Sequence, residues 1–188
     1  MSTAHDPSTL EPLNPSTQEK TLHMTMLATP DMANFSGRVH GGSLLKLLDQ
    51  VAYACAARYC KSYCVTVSLD HVFFKEPIHV GELMTVLAHV NYVGSSSLEI
   101  GVKVVAENLK TQEKRHTNSC YFTMVCMGED GKPRAAPPLI LENEAERRLF
   151  KAAEMRRELR KEVIARNRAL HEASGEALPD SHVEGPAH

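Results

Sequence analysis

The sequence lacks the features that mark a membrane or secreted protein. No run of about 18 apolar residues occurs anywhere in its 188 residues. The N-terminus has none of the apolar character of a secretory signal. We therefore expect a cytoplasmic protein without a membrane span, long enough for one domain with tails.

An excess of one charge is also missing. The 21 Lys and Arg residues nearly balance the 23 Asp and Glu residues, which gives a formal net charge of -2. So small a net charge provides no general attraction to nucleic acid or to an anionic membrane. We expect no nucleic-acid partner, and any phosphate-bearing ligand must be held by local groups.

The five cysteines form no recognisable disulfide or metal-binding pattern. No CxxC pair occurs, and no histidine stands at a zinc-ligand spacing from them. They lie in apolar stretches, which is typical of buried thiols in a reducing compartment. The sequence therefore predicts no metal site. The cysteines are Cys55, Cys60, Cys64, Cys120 and Cys126.

Several enzyme signatures are absent as well. The chain has no P-loop, no Rossmann glycine pattern, no GxSxG and no HExxH. The sequence therefore argues against the nucleotide-dependent, serine-hydrolase and zinc-protease classes of enzyme.

Hydrophobic periodicity indicates a folded core between two polar tails, 1–20 and 171–188. The pattern predicts a strand at 22–26, a loop, and a strongly apolar helix from residue 43 to about 58. Four alternating runs then predict consecutive strands. These runs are 64–74, 83–93, 98–108 and 118–127.

The order of these elements predicts an α+β fold, a five-stranded antiparallel sheet around one central helix, over residues 21–135. Short connections at 94–97 and 128–131 favour antiparallel pairing. A charged helix at about 142–168, within an extension at 136–170, is expected to pack outside. Its basic residues could meet phosphates, but they alternate with glutamates, which favours a solvated face. An uncovered sheet edge predicts pairing with a second copy.

Asp49 is the first candidate for chemistry. It lies at the border between the polar and apolar sides of the central helix, so we expect it to be half-buried. Desolvation there raises the pKa of a carboxyl group and suits it to act as a general base or nucleophile. The alternative is a surface carboxylate paired with Lys46, one turn back.

The helix start is the second candidate. Gly41 and Gly42 permit close backbone approach, and unpaired first-turn N–H groups suit a carbonyl oxygen that gains negative charge. The alternative is an ordinary glycine turn capped by Ser43. His40 could contact a ligand or have a structural role, and Asn34 could orient a ligand or stabilise its own turn.

The chain resembles the hot-dog-fold acyl-CoA thioesterases in a joint pattern. Asn34 precedes His40-Gly41-Gly42, and Asp49 follows Gly42 by seven residues. Residues 67–82 read VSLDHVFFKEPIHVGE, and residues 92–102 read YVGSSSLEIGV. The likeness covers residues 21 to about 127. It is strongest to the branch of bacterial YciA-type and mammalian brain-type acyl-CoA hydrolases.

The resemblance implies a hot-dog fold, homodimers that assemble as a trimer of dimers, a hexamer, and active sites between subunits. It implies that Asp49 activates water or attacks the thioester, that Asn34 comes from the facing subunit, and that the Gly42 N–H polarises the carbonyl. The implied ligands are acyl-CoA and CoA, with no further cofactor, in fatty acid metabolism. Residues implied to contact substrate are His40, Gly41, Gly94, Ser95, Ser96 and Ser97.

The sequence allows two other functions. A hot-dog hydratase or dehydratase relies on a His-Asp or His-Glu pair, and the Asn34/Asp49 pattern argues against it. A non-catalytic module that senses acyl-CoA would share the fold. No helix-turn-helix pattern accompanies the domain, and Asp49 is retained.

Overall fold

A computed structural model describes residues 18–174 and contains one five-stranded antiparallel sheet around one helix. The predicted α+β architecture is confirmed. The strands are arranged in the order β1-β3-β4-β5-β2. The elements are β1 Thr21–Leu27, a 3-10 helix Pro30–Met32, α1 Gly41–Cys60, β2 Cys64–Phe74, β3 Leu83–Val93, β4 Ser97–Glu107, β5 Lys114–Cys126 and α2 Glu144–Ser174.

The core forms between α1 and the concave face of the sheet. Leu48, Val51 and Ala52 of α1 have no exposed surface, because apolar residues three and four apart line one side of a helix. Val86 and Val104, from β3 and β4, are equally buried opposite them. Burial of each large aliphatic side chain contributes roughly 1.5–3 kcal/mol, so α1 is fixed firmly within the sheet.

Helix α2 packs on the outer side of the sheet and is held there by charge as well as by apolar contact. Arg156 Nη2 donates to buried Glu99 Oε1 at 2.6 Å, and Arg160 Nε lies 3.1 Å from both Asp70 carboxylate oxygens. The Phe150 ring packs against the sheet at 4.9 Å between centroids, on Tyr92. The expectation of a solvated basic face is therefore wrong for Arg156 and Arg160.

The folded region extends further than the predicted core at both ends. Lys20 is only 7% exposed, and its ammonium group lies 3.1 Å from Glu142 and 2.9 Å from Glu146. Helix α2 continues to Ser174 rather than ending near residue 168. The remaining parts of the predicted tails, 1–17 and 175–188, lie outside the described residues. Neither helix of the described part has the length and apolar character for a membrane crossing.

A buried carboxylate joins the start of β3 to β5. Glu82 is 5% exposed, accepts from the His79 backbone N–H at 2.9 Å, and lies 2.5 and 2.7 Å from Arg115 Nη2. Burial alone would raise the pKa of Glu82. The His79 N–H and the Arg115 guanidinium outweigh burial and hold this pKa below its usual range.

We expect Glu82→Gln to lower the free energy of unfolding by about 2–4 kcal/mol at neutral pH, since it removes the buried charge beside Arg115 Nη2 and leaves Arg115 with the half-exposed Glu76, 3.3 Å from its Nη1. Because the pKa of Glu82 is lower in the folded state, the carboxylate stabilises the fold above its unfolded pKa of about 4.3. This contribution is lost as the pH falls through the folded-state value. Urea unfolding of both proteins between neutral and acidic pH tests this; a constant difference throughout would contradict it.

Candidate active site

The first turn of α1 is built around His40. The helix begins at Gly41, two residues before the predicted start, and His40 caps it instead of Ser43. The Gly42 N–H donates to His40 Nδ1 at 2.9 Å. The Gly42 N–H, which was expected to polarise a carbonyl, is therefore already hydrogen-bonded to the imidazole ring. A ligand that binds this N–H must displace the ring. The other N–H groups of the first turn have no intrahelical acceptor.

Both glycines of this turn are tightly surrounded. A Cβ atom on Gly42 would lie 3.0 Å from His40 Nδ1, and one on Gly41 would lie 3.3 Å from the Phe74 ring. Either added side chain would press on its neighbour. Glycine at these two positions is therefore required by packing as well as by close approach of a ligand.

Asp49 is half-buried, as expected. Thr66 Oγ1, on β2, donates to Asp49 Oδ1 at 2.7 Å. In the described part of the chain the partner of the Asp49 carboxylate is Thr66 and not Lys46, so the alternative of an ion pair with Lys46 does not form. The Thr66 hydrogen bond fixes one carboxylate oxygen and leaves Oδ2 available to a ligand or water.

Thr66 is a site residue that sequence reasoning missed. It lies within a strand that the alternation did predict, but no local pattern links residue 66 to residue 49. The contact exists because α1 packs across β2, which is a tertiary event. The polar residues at alternate positions, Thr66 and Ser68, were the only available signal.

Asn34 stabilises its own turn. Its Oδ1 accepts from the backbone N–H groups of Ser36 and Arg38 at 2.9 and 3.1 Å, and from the Ser36 hydroxyl at 2.8 Å. The amide nitrogen, Nδ2, has no acceptor within residues 18–174. The turn thus engages the amide oxygen and leaves the Nδ2 donor without a partner among the described residues.

A cavity of about 330 Å³ opens beside Asn34, bordered by Leu44 and Phe74. Buried Asn118, from β5, also lines it. Asn118 Nδ2 donates to the Phe73 carbonyl at 3.0 Å, whereas its Oδ1 has no partner in the described part of the chain. An unpaired buried acceptor is costly, so this oxygen marks a place for water or a polar ligand group. No local sequence pattern distinguishes Asn118.

The turn at residues 94–97 is a hairpin connection at the other end of the sheet. Gly94 N–H donates to the Ser97 carbonyl, and the Cys126 N–H donates to the Ser96 carbonyl at 2.9 Å. Ser95 is exposed, and its carbonyl accepts from Ala136. Since Cys126 lies next to the last residue of α1, this turn is near the helix end opposite Gly41. Its contact with CoA stays a prediction.

Apolar side chains are exposed along the edge strand β2 and near the helix start. Val67, Phe73 and Phe74 of β2 are 39%, 60% and 53% exposed, and Phe35 is fully exposed. An unpaired edge with large exposed apolar groups is typical of a surface that another molecule covers.

Comparison with known proteins places this geometry in context. Residues 36–112 match the family model described as "Thioesterase superfamily". The protein VdlD of Helicobacter pylori is 52% identical over 139 residues, covering 74% of this chain and 79% of VdlD. The uncharacterized acyl-CoA thioester hydrolase YkhA of Bacillus subtilis is 33% identical over 162 residues, or 86% and 94% of the two chains.

Solved structures of acyl-CoA thioesterases and hydrolases are similar to this chain. A hexameric acyl-CoA thioesterase in its apo form has a TM-score of 0.74 at 34% identity, over 77% of this chain and 93% of its own. The Staphylococcus aureus acyl-CoA hydrolase with butyryl-CoA, CoA and CoA disulfide has a TM-score of 0.76 at 26% identity, over 84% and 96%. Three further structures of that enzyme each contain one alanine substitution. The replaced residues are an asparagine, an aspartate fifteen positions later, and a threonine seventeen positions after the aspartate.

Proposed function

The chain belongs to the thioesterase superfamily, and we propose that it hydrolyses the thioester bond of acyl-CoA to a free acid and CoA. The observation that carries the proposal is the set Asn34, Asp49 and Thr66. Their spacing along the chain, fifteen and then seventeen positions, is the same as that of the three residues replaced in the Staphylococcus aureus enzyme. The Asp49–Thr66 hydrogen bond gives that spacing a physical meaning.

In this mechanism Asp49 is the general base or the nucleophile. Thr66 holds Oδ1, so Oδ2 takes a proton from water as the water oxygen bonds to the thioester carbon. The carbonyl oxygen becomes an oxyanion. When the oxyanion re-forms the carbonyl, the C–S bond breaks, and the proton that Asp49 took from water passes to the sulfur of the departing CoA. If Oδ2 attacks directly, water hydrolyses the resulting anhydride.

The oxyanion is stabilised at the start of α1. First-turn N–H groups, including that of Gly42, carry a partial positive charge and point away from the helix body. His40 must turn aside to free the Gly42 N–H, and in doing so its ring can contact the substrate. The Asn34 Nδ2 group, without an acceptor of its own, is a second donor to the same oxygen.

Asp49 and Gly42 of one chain are poorly placed to act on one thioester. Seven residues separate them, which is about 10 Å of rise along a helix, and the Gly42 N–H points away from Asp49. We therefore assign Asn34 and Gly42 of one subunit and Asp49 of its partner to each site. The exposed apolar groups of β2 are then the dimer surface, and a hexamer is the proposed assembly.

The CoA portion of the substrate needs a separate surface. The hairpin at 94–97 offers hydroxyl groups, and Ser95 is exposed, which suits contact with the amides of a pantetheine arm. We retain Gly94–Ser97 as the proposed CoA contact, reached from a neighbouring subunit, and the cytoplasm as the proposed location.

The activity is tested by mixing the protein with CoA esters from acetyl to palmitoyl and following free thiol with a disulfide reagent. One thiol appears for each ester bond hydrolysed. A protein-only blank corrects for the five cysteines, all of which are buried. Absence of release at every chain length, with CoA ester binding retained, would favour the acyl-CoA-sensing module instead.

Thr66→Val is expected to lower kcat by about 10- to 100-fold, because it removes a hydrogen bond to a carboxylate worth roughly 1.5–3 kcal/mol. Thr66→Ser keeps the hydroxyl and is the matched control, with kcat expected within about threefold of the parent. Equal turnover in both variants would show that this hydrogen bond does not position Asp49. The thiol-release assay measures both.

A further inference from the structure

Three buried cysteine side chains converge beneath the turn between α1 and β2. Cys60 ends α1, Cys64 begins β2, and Cys126 ends β5, where it pairs with Cys64 across the sheet. Their sulfur atoms all lie within 4.8 Å of one another. None of the three residues is more than 2% exposed. The thiols therefore converge on one small buried volume.

We propose that this cysteine cluster, Cys60, Cys64 and Cys126, binds one thiophilic metal ion, and that Cu(I) suits it best. Thiolate ligands select soft ions, Cu(I) and zinc among them. Sulfur ligands of a zinc ion at about 2.3 Å stand about 3.8 Å apart in tetrahedral geometry. Small side-chain rotations would thus bring the three sulfurs onto one ion.

The number of ligands separates Cu(I) from zinc. In the described part of the chain no fourth His, Cys, Asp or Glu joins the group. Structural zinc sites are almost always closed by four protein ligands, and burial leaves little room for water in the fourth position. Three sulfur ligands in an enclosed site therefore favour Cu(I).

The end of a helix favours a cation here over a reactive thiolate. The last carbonyl groups of α1 give its C-terminus a partial negative charge, whereas reactive cysteines are typically found at helix N-termini or beside positive groups. A Cu(I) ion supplies one positive charge against the three thiolates that form when the thiol protons leave. Arg134 lies close by, since its backbone N–H donates to the Cys126 carbonyl at 2.9 Å. Its side chain adds a second positive charge. The hydrogen bond with Cys60, and then this charge, lower the pKa of the Cys64 thiol.

The connecting turn provides the route of entry. Residues 61–63 cover the cluster, and Lys61 and Tyr63 are exposed. Lys61 has a left-handed backbone with φ 50°, a conformation that a non-glycine residue adopts at some cost. Opening this turn breaks the two hydrogen bonds that join it to Met127, from Ser62 Oγ to the Met127 carbonyl at 2.7 Å and from the Met127 N–H to the Tyr63 carbonyl at 2.9 Å. The displaced thiol protons pass to the solvent.

The test uses the full chain, reduced and kept without oxygen, titrated with Cu(I) held by the chromophoric chelator bicinchoninate. We expect one Cu(I) per chain to be withdrawn from the chelator and the melting temperature to rise on loading. Cys64→Ser is expected to weaken binding by at least about 100-fold, since loss of even a supporting group costs 10- to 100-fold. A parallel titration with Zn(II) is expected to show weaker binding.

Cys120→Ser is the matched control. Cys120 is fully buried but outside the cluster, and burial raises the pKa of its thiol to about 12, so its loss is expected to leave Cu(I) binding unchanged. Circular dichroism confirms the fold of each variant, and Cys126→Ala replaces Cys64→Ser if the latter does not fold. No withdrawal of Cu(I) by the parent protein, equal binding by Cys64→Ser, or tighter Zn(II) binding would overturn the proposal. None of these outcomes depends on thioesterase activity.

Discussion

Asp49→Asn is expected to lower kcat for acyl-CoA hydrolysis by about 100-fold or more, while fold and oligomeric state stay intact. Asparagine has the shape of aspartate and keeps an oxygen that can accept from Thr66. It cannot take a proton from water, and its amide is a poor nucleophile. The expected loss therefore reports the chemistry of the carboxylate and not its packing.

The measurement is steady-state thiol release, with oligomeric state checked by light scattering. A fall in kcat with little change in KM is expected, since the carboxylate acts in the transition state. Asp49→Ala removes the hydrogen bond to Thr66 as well and is expected to be no more active. Near-normal turnover in Asp49→Asn would remove Asp49 from the mechanism and leave it a structural partner of Thr66.

Most of the fold could be predicted because its elements carry strong local patterns. The alternation of β3 and the apolar arc of α1 gave bounds that the structure confirms to within two residues. The start of α1 was less predictable. Its cap is the His40 side chain, and no rule of local propensity favours histidine there over Ser43.

Long-range charge pairs were the main feature of the fold that could not be predicted. Arg156 and Arg160 lie among glutamates in the sequence, which indicates a solvated helix. In the structure they reach Glu99 and Asp70 on the sheet instead. The alternating charges of a helix show which residues can form pairs within it, but not which acidic residues another element presents.

In the candidate site, too, features set by local pattern could be predicted and features set by tertiary contact could not. The half-buried position of Asp49 follows from the helical wheel, and the structure confirms it. Its contact with Thr66 and the unpaired Asn118 oxygen arise only when strands and helix meet. The cluster at Cys60 and Cys64 shows the same effect, because Cys126 completes it from a distant strand.

Mixing two inactive variants is expected to restore activity if each site is shared between subunits. Asn34→Asp keeps the oxygen that Ser36 and Arg38 need but removes the Nδ2 donor, so its turn is preserved. Alone it is expected to lose most of its kcat, as is Asp49→Asn. Co-refolding of the two at equal amounts should put about half of the dimers in mixed form.

In a mixed dimer, one chain lacks the Asn34 donor and its partner lacks the Asp49 carboxylate. If a site takes Asn34 from one chain and Asp49 from the other, one of the two sites has both defects and the other has none. Activity should therefore return to about a quarter of the parent value, given random pairing and independent sites. If both residues came from the same chain, every site would keep one defect, and mixed dimers verified by mass spectrometry would stay inactive.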